Sequence, residues 1–319
     1  MLSCKFIKNL ERVGLNKTIS VLGASNVDIT GFTDHKLIYG DANIGTSKTS
    51  AGGVGRNIAE NLHRLGFKIN LISVFGDDPL SEFLIKSCKD LGINIDASLF
   101  LKNENAGTFI AIMDCQNDLA LGISAMDIYT KLNAELIHSK IKTISQSDYL
   151  VLETNFPANI LEKVAKENTN SKIVLDTVSG KKSLRAKNIL SSLYILKTNL
   201  LEAQMLSGID LKSNNNEKLV NYFLNIGVKK VFITLGKDGV IYGDDTGVSQ
   251  HKTIPTKIEN TIGAGDSFVS GIIYADALDM DIQKMALHGM ASASINVQHN
   301  AAVSPKMNVA NLNKIVNDL

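Results

Sequence analysis

One stretch of the sequence, NTIGAGDSF at residues 260–268, places two glycines directly before a helical pattern that continues to Leu278. Glycines at the start of a helix let backbone N–H groups converge on a ligand, because no Cβ atom blocks the approach. The helix dipole adds positive potential at the same point. The stretch therefore predicts an anion-binding loop.

Asp266 follows the glycines of this loop, and its position has two explanations. A carboxylate can cap the first N–H groups of a helix as an N-cap residue. A carboxylate beside a transferring phosphoryl group can instead act as a general base. The residue pattern alone leaves both open. The loop is neither of two familiar phosphate motifs, since the sequence contains no G-x-x-x-x-G-K-[ST] and no G-x-G-x-x-G.

Short runs rich in Val, Ile and Leu alternate with helical patterns along the chain. The predicted strands are Ile19–Gly23, Ile69–Val74, Thr108–Met113, Tyr149–Leu152, Lys172–Leu175, Leu193–Leu196 and Val231–Leu235. The other predicted helices are Asn57–Leu65, Leu80–Leu91, Leu161–Glu167, Asn199–Ser207 and Lys218–Ile226, and the positions that directly follow four of these patterns are Gly66, Gly92, Gly208 and Gly227. This order predicts right-handed βαβ units around a parallel sheet.

Two stretches interrupt the alternation. Residues 28–50 are polar and extended, and residues 104–123 contain a strand pair without a helix between them. We expect both to form a small separate sheet, a lid over one edge of the main domain. Residues 236–239, Gly-Lys-Asp-Gly, predict a hairpin turn. The predicted organisation is an N-terminal extension, residues 1–17, and one α/β domain, residues 18–319, into which the lid is inserted.

Composition narrows the class of partner. The chain of 319 residues has 33 basic and 32 acidic side chains and a formal net charge of +1, whereas proteins that bind nucleic-acid polymers usually carry a basic excess. No apolar run approaches the roughly 18 residues of a membrane helix, and the first residues lack the apolar segment of a secretory signal. We therefore expect a cytoplasmic protein with a small-molecule partner and with neither a nucleic-acid nor a membrane partner.

Two further motifs lie where a predicted strand ends or a helix begins. Residues 23–28, GASNVD, follow the first strand, at the edge where open parallel sheets bind ligands. They are either a ligand site, with Asp28 accepting hydrogen bonds from vicinal hydroxyls, or an ordinary turn. Residues 52–57, GGVGRN, either allow close approach of a ligand to the backbone, with Asn57 contacting a polyol, or form a plain glycine turn.

Residues 197–202, KTNLLE, form the fourth motif, directly after a predicted strand. Asn199 and Glu202 lie three residues apart and share a helix face. They either hold the waters of a Mg²⁺ ion, which uses few carboxylates, or form a capping box at the helix start.

Taken in chain order, from GASNVD through GGVGRN and the Asn199–Glu202 pair to NTIGAGD, the four motifs resemble the ribokinase-like (PfkB) family of carbohydrate and nucleoside kinases. The resemblance runs from about Thr18 to about Ala302. Within the family the chain most resembles the pseudouridine kinases. The residues that carry this likeness are Asp41–Gly45, Gly52–Leu65 with Arg56 beside Asn57, Glu104-Asn105, Asp176–Ser179 and Leu196–Asn199. The resemblance implies a Rossmann-type three-layer α/β sandwich with a small β-sheet lid, and a homodimer formed through the lid.

The resemblance also implies roles for individual residues in phosphoryl transfer from ATP to an alcohol. Asp266 would accept the proton of a ribose 5′-hydroxyl, and the N–H groups of Gly263, Ala264 and Gly265 would stabilise the phosphoryl charge. Substrate contacts are implied for Asn26, Asp28, Asn43, Gly53, Arg56, Asn57, Thr108 and Asn155. Contacts to ATP are implied for Lys197, Asn199, Thr234, Gly236, Thr261, Gly263 and Gly265, and contacts to Mg²⁺ for Asn199 and Glu202. A K⁺ ion beside the anion loop is common in the family.

Three positions depart from the family pattern. Asn260 is neutral where the family commonly has Asp, which weakens the case for K⁺, and Thr177 replaces a common Pro. Asp127 lies where the pseudouridine kinases have Asn. We expect a pseudouridine kinase that produces pseudouridine 5′-phosphate and ADP. The alternatives are a related kinase of another nucleoside or sugar, and a non-catalytic nucleoside-binding protein.

Overall fold

The computed structural model describes residues 16–116, 118–210 and 215–319. Most of the predicted N-terminal extension, residues 1–15, lies outside these ranges. The strands are β1 (Thr18–Leu22), β2 (Asn26–Phe32), β3 (Thr46–Gly52), β4 (Lys68–Ile72), β5 (Val74–Phe75), β6 (Leu99–Phe100), β7 (Gly107–Met113), β8 (Leu119–Ala125), β9 (Tyr149–Glu153), β10 (Lys172–Asp176), β11 (Ile195–Asn199), β12 (Lys230–Thr234), β13 (Val240–Asp244) and β14 (Gly247–His251).

The α-helices are α1 (Val54–Arg64), α2 (Pro79–Asp90), α3 (Ala134–Ile144), α4 (Ala158–Glu167), α5 (Gly180–Ser183), α6 (Leu200–Ser207), α7 (Glu217–Asn225), α8 (Ala264–Ala277), α9 (Ile282–Val297) and α10 (Val309–Asn317). Short 3₁₀ helices span Asp127–Lys131, Leu184–Ser192 and Gly236–Asp238.

The large sheet has the strand order β14-β13-β12-β11-β10-β9-β1-β4. Neighbours from β12 to β4 are parallel, and β13 and β14 are antiparallel at one edge. The parallel strands are buried on both faces, which explains why they read as apolar runs in the sequence.

Two hydrophobic cores lie on the two faces of this sheet. Because side chains alternate along a strand, Val21 packs into one core and the adjacent Leu22 into the other. Residues of α1, α2, α8, α9 and α10 fill the first core, and residues of α3, α4, α6 and α7 fill the second. The result is a three-layer α/β sandwich, which confirms the predicted fold class.

The lid is a second sheet, ordered β3-β2-β7-β8. Three residues separate β1 from the first lid strand, β2, which starts at Asn26. In the lid, β2 pairs with both β3 and β7. The lid strands thus fall in or directly beside the two segments that interrupt the alternating pattern. Between β7 and β8 the Asp114 N–H donates to the Asp118 oxygen at 2.9 Å, and β8 forms an outer edge of the lid.

Glycines end several helices as predicted: Gly66, Gly92, Gly208 and Gly227 all have positive φ angles after α1, α2, α6 and α7. The elements that were not predicted are the helices α3, α9 and α10, the short helix α5, and the strands β6 and β14. The predicted turn at residues 236–239 is present between β12 and β13, but it contains a 3₁₀ helix rather than a two-residue turn. Within the described ranges, no helix has both the length and the apolar composition to cross a membrane.

Close packing of α8 against α9 depends on glycine. A Cβ atom on Gly271 would lie 2.3 Å from the backbone oxygen of His288. Replacement of a helical glycine by alanine usually stabilises a helix by up to about 1 kcal/mol. We expect Gly271→Ala instead to lower the free energy of unfolding by about 1–3 kcal/mol, because the helices have to separate. Urea unfolding followed by circular dichroism measures this.

Gly180→Ala is the matched control, because its added methyl group would meet only the flexible side chain of Met205. We expect little change or a small gain in stability for this variant. A Gly271→Ala protein that is as stable as the Gly180→Ala protein would contradict the packing argument.

Candidate active site

Five parallel strands end at one edge of the large sheet, where they bring the predicted functional residues together. The segments at these ends are residues 23–26 after β1, Glu153–Asn155 at β9, Asp176–Ser179 at β10, Lys197–Asn199 at β11 and Thr234–Gly236 at β12. Open α/β sheets bind ligands outside the carboxyl ends of their strands. The candidate site therefore lies here, beneath the lid that starts at Asn26.

Glycines allow the loop after β1 to touch the start of α1. A Cβ atom on Gly55 would lie 2.4 Å from the carbonyl carbon of Gly23, and one on Gly53 would lie 2.4 Å from the oxygen of Ala24. Gly53 also has a φ of 100°, which other residues rarely adopt. The N–H of Arg56 donates to the Ala24 oxygen at 3.1 Å. The GASNVD and GGVGRN motifs are therefore two halves of one backbone contact.

Asn26 and Asp28 form a pair at the base of the lid. The Asn26 Nδ2 donates to Asp28 Oδ1 at 2.5 Å, and the carboxylate of Asp28 occupies the space beside Gly52, where a Cβ atom would lie 2.1 Å from Oδ2. Burial raises the pKa of Asp28 to about 6, although the Asn26 hydrogen bond and the charge of Arg56 act in the opposite direction. Both side chains lie in the first three residues of β2, where the lid begins.

Asp266 is buried in the first turn of α8, with 8% of its surface exposed. Its Oδ2 accepts a hydrogen bond of 2.9 Å from Asn57 Nδ2, so it joins the starts of α8 and α1. Burial, reinforced by the charge of Asp176, raises the pKa of Asp266 to about 7. The N-cap explanation is wrong, because the N-cap is Gly263 and Asp266 makes no capping hydrogen bond there.

The glycine-rich loop enters α8 through Gly263, whose φ of 76° requires glycine. A Cβ atom there would also lie 1.9 Å from the Ala302 oxygen. Asn296 holds the loop from α9, because its Nδ2 donates to the Ile262 oxygen at 2.9 Å. The N–H of Ala264 donates to the Thr261 oxygen at 3.3 Å, so one of the three predicted anion donors is engaged within the loop.

Lys197 lies directly against this loop, since a Cβ atom on Gly265 would be 2.6 Å from Lys197 Nζ. The ammonium donates to Asp176 Oδ2 at 2.8 Å, and both groups are buried. Burial tends to lower the pKa of Lys197, but the carboxylates of Asp176, Glu202 and Asp266 outweigh it and hold that pKa above its ordinary value. Lys197 therefore remains a cation at the anion loop.

Asn199 and Glu202 form the predicted capping box at the start of α6. Asn199 Oδ1 accepts from the Glu202 N–H at 2.9 Å, and Glu202 Oε2 accepts from the Asn199 N–H at 3.1 Å. Asn199 Nδ2 also donates to Glu202 Oε1 at 2.7 Å. These Asn199 donors are uncharged groups, so they do not neutralise the negative charge of the buried carboxylate.

The donor set at Glu202 and Asn199 fits Mg²⁺ together with phosphate oxygens. Both side chains offer hard oxygen ligands, and Mg²⁺ in nucleotide sites takes one or two carboxylates plus phosphates and waters. Among the described residues, no group of three His, Cys, Asp or Glu side chains could hold a metal ion by itself. These two residues would therefore hold Mg²⁺ only jointly with a nucleotide.

Asn155 joins two charged residues that the sequence reading missed. Its N–H and Nδ2 donate to Glu153 Oε2 at 2.8 and 2.7 Å, and its Oδ1 accepts from Lys182 Nζ at 2.5 Å. The other oxygen of Glu153 accepts from the Ala24 N–H. Burial raises the pKa of Glu153 to about 7, against the two backbone hydrogen bonds and Lys182. Glu153 and Asp176 both end apolar strands, the same signal that singled out Asp28.

Two predicted substrate contacts have other partners in the structure. The Arg56 guanidinium lies 2.9 Å from Glu60 Oε2 and donates to Ser87 Oγ at 3.0 Å, which links α1 to α2. The exposed Asn43 closes a lid loop, since its Oδ1 accepts from the Ile38 N–H and its Nδ2 donates to the Ile38 oxygen. The contacts of both side chains are therefore within the protein fold.

The other predicted residues lie around the site. Thr108 is half-buried on β7, in register with Val27 of β2. Thr234 ends β12, with its hydroxyl donating to the Thr198 oxygen at 3.3 Å, and Gly236 follows it with a φ of 61°. Thr261 is exposed in the glycine-rich loop. The side-chain oxygen of the neutral Asn260 accepts from the Ile262 N–H at 2.9 Å.

Comparison with known proteins agrees with this architecture. Residues 16–308 match the model of the pfkB family carbohydrate kinases. A pseudouridine kinase of Escherichia coli (strain K12) is 28% identical over 302 residues, which cover 93% of this chain and 96% of that protein. The crystal structure of a ribokinase from Thermotoga maritima matches with a TM-score of 0.81 and 25% identity, covering 94% of this chain and 99% of that one.

A likeness of fold extends to an Arabidopsis thaliana ribokinase complexed with ribose and ATP, with a TM-score of 0.79, 20% identity and coverage of 94% and 99% of the two chains. The family match spans nearly the whole chain, and the fold and strand-end site agree with it. The chain belongs to the pfkB family of carbohydrate kinases. It is accordingly a phosphotransferase that acts on an alcohol group.

The raised pKa of Asp266 predicts a pH-dependent effect on stability. Its pKa is about 7 in the folded protein, against 3.8 for an ordinary Asp. Between about pH 4 and pH 7 the unfolded chain has lost this proton while the folded protein still holds it, so the free energy of unfolding falls as the pH rises. Asp266→Asn removes this loss of stability. We expect the variant to be more stable than the wild type at pH 8, with a gain larger than that at pH 5 by on the order of 2 kcal/mol.

Denaturant unfolding at both pH values measures the difference, and Asp245→Asn, an exposed carboxylate in the turn before β14, is the control. We expect no such pH-dependent gain for the control. An Asp266→Asn protein with the same stability difference at pH 5 and pH 8 would show that this carboxylate titrates normally.

Proposed function

We propose that this protein is an ATP-dependent kinase that phosphorylates the 5′-hydroxyl of pseudouridine, giving pseudouridine 5′-phosphate and ADP. The proposal depends on one observation, the buried Asp266 with a pKa of about 7 in the first turn of α8. A base whose pKa lies near the working pH is well suited to proton transfer. The likeness to the pseudouridine kinase of Escherichia coli supports the choice of nucleoside.

Asp266 is the proposed general base. Its carboxylate accepts the proton of the 5′-hydroxyl as that oxygen forms a bond to the γ-phosphorus of ATP. The bond from the γ-phosphorus to the bridging β–γ oxygen breaks, and ADP leaves with the electron pair. The hydrogen bond from Asn57 keeps one carboxylate oxygen in place while the other faces the hydroxyl.

The ribose is held at the contact between the loop after β1 and the start of α1. Asn26 and Asp28 offer an amide and a carboxylate to its hydroxyls, and Gly53 lets the ring approach the backbone. Glu153 and Asn155 lie at the end of β9, beside this contact, where Glu153 accepts hydrogen bonds from the Ala24 N–H and from Asn155. Closure of the lid over the nucleoside would exclude water and limit hydrolysis of ATP.

The phosphates are placed at the other side of Asp266, at the glycine-rich loop. The N–H groups at the start of α8 and the ammonium of Lys197 stabilise negative charge on the transferring phosphoryl group. Thr234 and Gly236 lie along the nucleotide, and Mg²⁺ held by Asn199 and Glu202 would neutralise phosphate charge. ATP and Mg²⁺ are thus the proposed cofactors, and the cytoplasm, where ATP is abundant, is the proposed location.

A second candidate is a kinase of another nucleoside or of a sugar, and Asp127 favours it. This exposed carboxylate begins a 3₁₀ helix that is anchored to the site, because Tyr129 accepts from the Ser25 N–H at 2.8 Å and donates to the Ser25 oxygen at 3.0 Å. A negative charge at this position would select among the groups attached to the ribose.

The test is ADP release with pseudouridine, uridine, ribose and adenosine offered in parallel. We expect the highest kcat/KM with pseudouridine. Faster turnover of any other acceptor would reject pseudouridine as the substrate and retain the kinase activity.

Asp266→Asn should lower kcat by about 10²–10⁴-fold, whereas calorimetry should show that nucleoside binding persists. An active Asn variant would exclude Asp266 as the base, and nucleoside binding without ADP release by the wild type would favour a non-catalytic protein.

We further propose a homodimer formed through the lid. The edge strand β8 exposes Leu119, Leu121 and Ile123, with 56%, 56% and 50% of their surfaces accessible. Leu121 and Ile123 share one face of the lid sheet, whereas an irregular register beside Met113 turns Leu119 to the other face. An exposed apolar face beside an unpaired strand edge is a natural contact for a second copy. The arrangement would place two lids against each other.

Analytical ultracentrifugation tests this arrangement. We expect the wild type to sediment as a dimer at micromolar concentration and Leu121→Asp as a monomer, because a charge would be buried at the contact. Ser124→Asp changes the opposite face of β8 and should leave the dimer intact. A monomeric wild type would reject the lid contact.

A further inference from the structure

The turn at Asp176–Ser179 is held in an unusual conformation beside the candidate site. Val178 has a φ of 58°, a value that a β-branched residue adopts only at a cost of about 1–3 kcal/mol. The turn is closed by hydrogen bonds from the Val178 N–H to Asp176 Oδ1 at 2.8 Å and from the Ser179 N–H to the Thr177 oxygen at 2.6 Å. Backbone strain of this kind persists where the surrounding structure fixes it.

Two side chains of the turn, those of Asp176 and Thr177, contact residues of β11 and α6. Asp176 Oδ2 accepts from Lys197 Nζ, and Thr177 Oγ lies 2.5 Å from Glu202 Oε2 and 2.9 Å from Thr198 Oγ. The Thr177 hydroxyl has one proton, and a carboxylate is a stronger acceptor than a hydroxyl. Thr177 therefore donates to Glu202.

This hydrogen bond differs in kind from the others that hold Glu202. The N–H of Asn199 belongs to the capping box at the start of α6, and its Nδ2 donates to the other carboxylate oxygen, so both fix Glu202 only relative to the start of its own helix. Thr198 Oγ1 lies 3.5 Å from Glu202 Oε2, a longer distance than the 3.2 Å to the Asn199 oxygen. Thr177 is the close donor from the end of β10, a different strand. It fixes one carboxylate oxygen relative to β10 and leaves the other with a single donor, Asn199 Nδ2.

We propose that Thr177 is a positioning residue for the divalent cation that accompanies ATP, acting through the carboxylate of Glu202. The inference rests on the proposed function, because it takes Glu202 as a cation ligand. Groups that orient a metal-binding carboxylate typically contribute about 10–100-fold to metal affinity. The strained turn is the element that aims Thr177 at its partner.

Binding of Mn²⁺ in the presence of ADP, measured by electron paramagnetic resonance without an acceptor substrate, tests the proposal. We expect Thr177→Val to weaken Mn²⁺ binding about 10–100-fold, because it removes the hydroxyl but retains the volume. Thr177→Ser keeps the hydroxyl and should stay within about 3-fold of the wild type. Thr177→Ala replaces the Val variant if the latter does not fold.

Thr154→Val is the matched control, since the Thr154 hydroxyl donates to the Thr177 oxygen at 2.6 Å and is not bonded to Glu202. It should lower stability and leave Mn²⁺ binding within about 3-fold of the wild type. Wild-type affinity in Thr177→Val, or equal weakening in Thr154→Val, would overturn the role of the hydroxyl. A wild type that binds no Mn²⁺ with ADP would count against the proposed function itself.

Discussion

The buried salt bridge between Lys197 and Asp176 is the interaction on which the charge balance of the site depends. Lys197 is surrounded by three carboxylates, those of Asp176, Glu202 and Asp266, and all four groups are buried. A buried charge without compensation is expensive, and loss of one partner of such a pair leaves the other uncompensated. The ammonium of Lys197 therefore lets three acidic groups lie close together, at the end of β10 and in the first turns of α6 and α8.

With the proposed function, this balance would explain how a chain with a net charge of +1 binds a polyanion. The proposed attraction to phosphate comes from oriented backbone N–H groups, one lysine and a cation brought with the nucleotide, and it requires no basic surface. The glycines make this possible, because the loop after β1 meets the start of α1 at separations that a Cβ atom at Gly23 or Gly55 would prevent. The close backbone contact and the buried charges thus lie at the same edge of the large sheet, at the carboxyl ends of its parallel strands.

Much of the fold could be predicted from the sequence, because strands buried on both faces appear as apolar runs and glycines end the helices. The helix α9 was missed for a physical reason. It is buried along most of its surface and contains small residues such as Gly289, so its apolar residues show no single stripe. The edge strand β14 is polar and mostly exposed, and it therefore lacks the apolar signal of the central strands.

The site was predictable where a local motif places a residue, and less so where tertiary partners decide. The capping box formed by Asn199 and Glu202 could be predicted from their spacing alone. Arg56 does not, because its ion pair with Glu60 and its hydrogen bond to Ser87 depend on how α2 packs against α1. Asp266 was ambiguous because the left-handed Gly263 decides where α8 begins, and a sequence does not display a φ angle. Glu153 could have been predicted as a site residue from the sequence, because it ends an apolar strand. Asp28 was singled out for a similar position, shortly after an apolar strand.

Glu153 and Asp266 have a further consequence for catalysis. Both carboxyl groups are buried with pKa values of about 7, and the charge of Glu153 contributes to the raised pKa of Asp266. An ionised Glu153 therefore makes the carboxylate form of Asp266 less favourable. Lys197 acts in the opposite direction on Asp266, and Lys182 does so on Glu153. The charges around the proposed base thus set its readiness to accept a proton, and a proton on Glu153 favours a carboxylate at Asp266.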